Sequence, residues 1–342
     1  MPLLDRNTLR GWLVSILGCR SGRLSSVAAP LEASYRALSA AATSAGLGDS
    51  SVTQALIMTV RKSLDLLSSL PKRSIASRVP GKTYFSFESQ YGKPRSSRGI
   101  NEAMFISDAD EVATMIDRVA SGDIPADPLE LHAALYTAAI SYPAEADVTK
   151  DGDQHSPGTF LENFVGHLAA CTFGVRPTKT IVAPTLDLKI SLPTDFIFDL
   201  GEGKSRIHLP VKASTRERVI QVWAHQRVLD GMHGVNRFRG LLVVLAETNR
   251  QRATNSIVEV CLPRQWTAYQ MYIAQLHRVY YFDVPDKYRK LREHYPFLEV
   301  KPFADFFYEW KEIAQPSLTM MGSVEAARPP PVFIGFPEDE EV

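Results

Sequence analysis

Apolar residues recur at helical spacing through Leu9, Trp12, Leu13, Ile16 and Leu17, and again through Leu56, Val60, Leu64 and Leu67, which predicts helices over roughly the first 75 residues. The Ser/Ala/Gly-rich stretch SAAATSAGLGDSS separates them, and Pro71 and Pro80 close the region. The segment RVPGKTYFSFESQYGKPRSSRG then reads as a loop or short-strand connector, followed by helices over 108–120 and 128–140. A further helix is expected from Ser156, a suitable N-cap with Pro157 in the first turn, to Gly174.

From there the pattern changes period. TKTIVAPTLDLKISLPTDFIFDL reads as β structure, GEGKS as a tight turn and RIHLPVKAS as the returning strand. TRERVIQVWAHQRVLDG is a helix capped by Ser214 or Thr215 and closed by Gly231. GLLVVLAET is wholly apolar until its end, as a buried strand is, and SIVEVCLP is another strand. Helices are expected over 264–279, 286–294 and 302–314, and the Pro-rich acidic tail from 316 is expected to be loose. This order of helices and strands predicts an α/β fold, with a mixed central sheet flanked by helices and an N-terminal helical region. The expected division is 1–75, 76–315 and 316–342.

Composition adds limits. With 45% hydrophobic and 22% charged residues, a soluble protein with a substantial core is expected. No apolar run reaches membrane-spanning length, and the N-terminus has no clean signal-peptide pattern. Cys19, Cys171 and Cys261 are far apart and show neither a disulfide framework nor zinc spacing, so a reducing cytoplasm is expected. The formal net charge of +0 offers no whole-molecule argument for nucleic acid. Basic residues are nevertheless segregated. Arg216, Arg218, Arg227, Arg237 and Arg239 lie close in sequence, and Lys82, Lys93, Arg95 and Arg98 surround Tyr84, Phe85, Phe87 and Tyr91. The second group is a candidate DNA contact outside any core site, and solvated helix faces are the plainer explanation of both.

The candidate chemistry lies in the hairpin. Phosphodiester hydrolysis needs a carboxylate to hold Mg²⁺ and a cation to steady developing charge. Asp195 and Asp199 share one face of their strand, and Lys212 stands on the returning one. The residues Lys212-Ala-Ser214-Thr-Arg216-Glu217-Arg218-Val-Ile-Gln221, with Pro193-Thr194-Asp195 upstream, resemble the pattern of type II restriction endonucleases of the PD-(D/E)xK superfamily, in particular the EcoRII and NgoMIV group. The resemblance spans about residues 156–262. It implies a restriction-endonuclease-like core, Mg²⁺ at Asp195, catalytic Lys212, and double-stranded DNA read at CC/GG by Arg216, Glu217 and Arg218. Arginine to guanine and glutamate to cytosine are also the pairings that base-edge chemistry favours. A homodimer or tetramer and a protecting methyltransferase, which need not bind, are implied as well.

Two departures stand out. Pro210 occupies the usual acidic position before the lysine, and the region where this group carries its helix acid holds His225 and Gln226. Glu162, off the apolar stripe of Phe160, Phe164 and Leu168, is the best substitute ligand, and Asp199 is the other. Ser214, Gln221, His225 and Gln226 are further candidate contacts to DNA or phosphate. A DNA-binding relative that has lost cleavage and a non-specific nuclease remain the rival readings. Trp223 and Val219 are expected in the core, and His208 in a structural role.

Overall fold

The computed structural model describes residues 31–89, 94–150, 155–183, 188–191, 195–216, 219–251, 253–295 and 297–315. The expected helix around Leu9–Leu17, the tail, and site residues Glu217 and Arg218 lie outside them. In chain order the elements are α1 (31–44), α2 (Ser50–Ser68), β1 (Lys72–Ser77), β2 (Tyr84–Phe87), β3 (Ile100–Asn101), α3 (Ala109–Ser121), α4 (Pro128–Thr149), α5 (His155–Phe173), β4 (Thr180–Ala183), β5 (Leu188–Ser191), β6 (Phe196–Phe198), β7 (Arg206–Leu209), β8 (Val211–Lys212), α6 (Val219–His233), β9 (Phe238–Val244), β10 (Thr248–Gln251), β11 (Ser256–Glu259), α7 (Pro263–Tyr272), β12 (Leu276–Tyr281), α8 (Asp286–Arg289), α9 (Leu291–His294), β13 (Val300–Pro302) and α10 (Phe306–Ala314).

A mixed sheet forms the centre, in the order β13-β12-β9-β7-β6, with β8 continuing beside β9. β12, β7 and β8 run parallel to β9, and β6 returns antiparallel to β7. Leu241 to Val244 on β9 are 0% exposed, which is why GLLVVLAET is apolar without alternation: both faces of this strand are covered. One face packs against α4, α5 and α10 and the other against α6 and α7, through two apolar clusters centred on Phe164 and on Trp223 with Trp266. Val219 and Trp223 are core residues, as their spacing predicts. No helix among the described residues is long and apolar enough to cross a membrane.

The division at residue 75 does not separate two cores. Leu38, Leu56 and Leu64 belong to the same buried cluster as Phe196, Leu209 and Ile313, so the first helices complete the central layer. β1 also begins a second sheet, ordered β10-β11-β1-β2-β3. That sheet explains the aromatic run: Tyr84, Phe85 and Phe87 are buried strand residues. Lys82 is bound inside, 2.7 Å from Glu259 and 2.8 Å from Asp283, and Arg98 makes a two-pronged pair with Asp147. The suggested DNA contact through Lys82, Arg98 and these rings is therefore corrected, because each is already committed within the protein; Tyr91 and Lys93 lie outside the described residues.

A second correction concerns 264–279. The helix ends at Tyr272, and Leu276–Tyr281 forms β12 in the middle of the central sheet. Short apolar runs fit either period, and here the β-branched and aromatic Val279, Tyr280 and Tyr281, each 0% exposed, fill a strand between β9 and β13.

Candidate active site

The register of the β6–β7 hairpin sets Phe196 opposite Leu209, so Asp195 falls just beyond the last backbone pair, beside Pro210 and Val211. Pro210 has no N–H to donate, but its carbonyl accepts from Val243 N at 2.9 Å and keeps the strand attached to β9. Val211 N–H then donates to Asp195 Oδ2 at 2.6 Å, and Lys212 Nζ approaches the same oxygen at 3.2 Å. Asp195 is 8% exposed, so its carboxylate is fixed in a poorly solvated position with Lys212 beside it.

Glu162 on α5 faces this pair. Burial raises its pKa, as does the charge of Asp195, while Lys179 and Lys212 draw it down. Holding two partly buried carboxylates together is costly unless a cation joins them. Among the described residues no three His, Cys, Asp or Glu side chains form a metal cluster. Two carboxylates supplemented by water and phosphate oxygens are nevertheless the hard-oxygen set that Mg²⁺ takes, so Asp195 and Glu162 fit the ion. His225, on α6, is within electrostatic reach of Lys212 and Asp195; burial and then the Lys212 charge lower its pKa and favour the neutral ring.

Two expected residues do not join them. Asp199 follows β6, about 13 Å along the chain from Asp195, where its carboxylate accepts from Arg206 Nε at 2.9 Å. It lines a separate depression of about 760 Å³ with Arg206 and Arg237 at the turn end of the hairpin, so the ligand role considered for Asp199 is corrected. Sharing a face does not bring two residues to the same end of a strand. Gln226 is 1% exposed and engaged with His208, Asp230 and the Phe238 carbonyl, so its candidate contact to DNA is also corrected. Gln221 is exposed on α6, and His208 is buried and structural as expected.

Sequence reasoning missed the support beneath the Ser214–Arg216 segment. Glu247, 0% exposed just past β9, accepts from Thr215 N–H at 2.9 Å and Thr215 Oγ1 at 2.6 Å, and from Tyr281 OH at 2.8 Å. Burial pushes its pKa up to about 7, against the pull of these hydrogen bonds and of the Arg216 charge. It ties the ends of β9 and β12 to the residues just after Lys212. Arg216 is half-buried, with Nε donating to Ser214 Oγ at 3.4 Å. A charge ending an apolar strand was the available signal, the same one that pointed to Lys212.

Close packing holds α5 over the hairpin. A Cβ on Gly166 would lie 2.5 Å from the Phe196 ring and 2.9 Å from Leu47. Gly166→Ala is expected to destabilise by about 1–3 kcal/mol, seen as a lower urea midpoint at unchanged slope. It should also slow any reaction that depends on Asp195, the next residue to Phe196.

No protein-family model matches the sequence, and no curated protein is significantly similar to it. The crystal structure of the Type IIP restriction endonuclease Kpn2I is similar at a TM-score of 0.67 and 20% identity, over 82% of this chain and 96% of that one. The complex of the restriction endonuclease PspGI with its substrate DNA aligns at a TM-score of only 0.38 and 15% identity, over 60% of this chain and 91% of that one, too loosely to support an argument. The mixed α/β architecture, with its central sheet between helical layers, is similar to a restriction-endonuclease fold.

Proposed function

We propose that the chain is a type II site-specific deoxyribonuclease, cutting both strands of DNA with Mg²⁺ at a short palindromic site containing CC/GG and leaving 5′-phosphate ends. The observation that carries this reading is the 3.2 Å approach of Lys212 to Asp195, with Glu162 in electrostatic contact, on a fold similar to that of a restriction endonuclease. In this reading Asp195 and Glu162 hold Mg²⁺, which when bound neutralises charge on the scissile phosphate and favours deprotonation of water. Lys212 orients the attacking water and steadies negative charge on the phosphate as the 3′ oxygen leaves. The neutral ring of His225 is suited to a hydrogen bond with phosphate or water, and less to Mg²⁺, which prefers oxygen.

Arg216, Glu217 and Arg218 read G·C pairs from the major groove, and Glu247 holds Thr215 immediately before them in the chain. Ser214 and Gln221 supply backbone or phosphate contacts. A homodimer, or a dimer of dimers, matches the two-fold symmetry of a palindromic site. A methyltransferase of the same specificity would protect the host DNA.

Plasmid digestion with Mg²⁺ tests the function. Discrete fragments are expected, whereas a smear favours a non-specific nuclease and a gel shift without cutting favours a binding protein. Arg216→Ala should lose about 1–3 kcal/mol of discrimination at one G·C pair, measured as binding to the cut sequence against single-base variants in Ca²⁺. An equal loss on every sequence would remove Arg216 from base reading.

A further inference from the structure

Beside the carboxylates opens a groove of about 360 Å³. Glu162 and Phe196 line it, and Glu162, within electrostatic reach of Asp195 and Lys212, joins it to the proposed cleavage centre. Arg176 and Lys179 line it as well, facing residues of α1 and its C-terminal turn, among them Thr43 and Gly46. Both cations are exposed, and neither forms an ion pair among the described residues.

Their positions are built by the fold. Gly46 has φ +88°, a left-handed conformation that L side chains rarely adopt, and a Cβ there would meet the Arg176 guanidinium carbon and Nη1 at 3.3 and 3.2 Å. Glycine therefore both turns the chain after α1 and lets the guanidinium rest against it. Lys179 Nζ stands over the Phe196 ring, 5.5 Å from its centre, and its charge acts on Glu162. Two cations thus share one groove with the Glu162 carboxylate. The carboxylate suits a metal-bridged phosphate, and the cations suit the oxygens of a neighbouring phosphate.

We propose that Arg176 and Lys179 form a phosphodiester-binding subsite that holds the backbone of the cleaved strand immediately beside the scissile phosphate. The proposal rests on the nuclease reading and adds a function that the base-reading segment does not serve. Contacts of this kind fix register along the strand and carry no sequence information.

The test is fluorescence anisotropy of the full chain and its Arg176→Ala/Lys179→Ala variant in Ca²⁺ across a range of salt concentrations. The two probes are a duplex carrying the mapped cut sequence and a scrambled duplex of equal length. Each lost phosphate contact lowers the slope of log K against log salt by about 0.9, so the variant slope should fall by about 1.8 on both probes. Between 50 mM and 200 mM salt the variant should then lose about 12-fold less affinity than the parent chain. The ratio of affinities between the probes should stay unchanged. A slope equal to that of the parent chain overturns the subsite, as does a change confined to the mapped sequence. If the parent chain binds neither probe, the nuclease reading fails and the subsite with it. Circular dichroism on the variant, together with an Arg176→Gln/Lys179→Gln variant expected to give the same slope, excludes misfolding as the cause.

Discussion

Lys212→Ala is expected to abolish DNA cleavage, by about 10³-fold or more, while leaving specific binding in Ca²⁺ intact. Lys212 Nζ is the one cationic group among the described residues within hydrogen-bond distance of Asp195, so no neighbour can assume its place. Its side chain is 28% exposed and the Asp195 carboxylate keeps the Val211 N–H, so the fold should survive with little change in Tm. Separating cleavage from binding is the informative part. Loss of both would indicate a damaged hairpin, and cutting at the normal rate would remove Lys212 from the chemistry.

The second large effect belongs to Glu247. Truncation to alanine leaves the Thr215 N–H, the Thr215 hydroxyl and the Tyr281 hydroxyl without their acceptor, and Thr215 and Tyr281 are 1% and 0% exposed. A loss of roughly 3 kcal/mol or more in stability is expected, together with weaker specific binding through the displaced Arg216. The pH dependence has a definite sign. With its pKa raised from 4.5 to about 7, Glu247 favours the folded state most below pH 4.5, and that contribution is lost as pH rises through 7. Its size is about 3 kcal/mol. Six histidines oppose this trend: burial lowers His132, His167, His208 and His277 to about 4 and lowers His225 and His233 as well, and all favour folding increasingly as pH rises toward 6.5. Glu247→Gln isolates the carboxyl contribution. Urea titrations from pH 5 to 8 should show the parent chain losing stability relative to this variant as pH rises, and parallel curves would contradict the assignment.

Much of this arrangement was legible in the chain. The turn GEGKS returns the chain so that Lys212 comes back beside Asp195, and the helical stripe on α5 leaves Glu162 off the apolar core. What was hidden depends on long-range packing. Asp199 shares a strand face with Asp195 but lies at the other end of the hairpin, a distinction that two-residue periodicity cannot make. β12 fits a helical or a strand pattern until β9 and β13 are known to flank it. Lys82 and the rings of β2 resemble a nucleic-acid surface until Glu259 and Asp283, far along the chain, are seen to receive the lysine. The same holds for Arg176 and Lys179, which acquire significance only because Gly46 and Phe196 bring them to a groove that Glu162 also lines.

The central claim, a metal-dependent hairpin site coupled to a base-reading segment, is tested most directly by sequencing the ends of plasmid DNA cut in Mg²⁺. Every end is expected to derive from one short palindrome with G·C pairs and to carry a 5′-phosphate. Ends scattered over unrelated sequences, or no cutting at all with Mg²⁺ present, would contradict it.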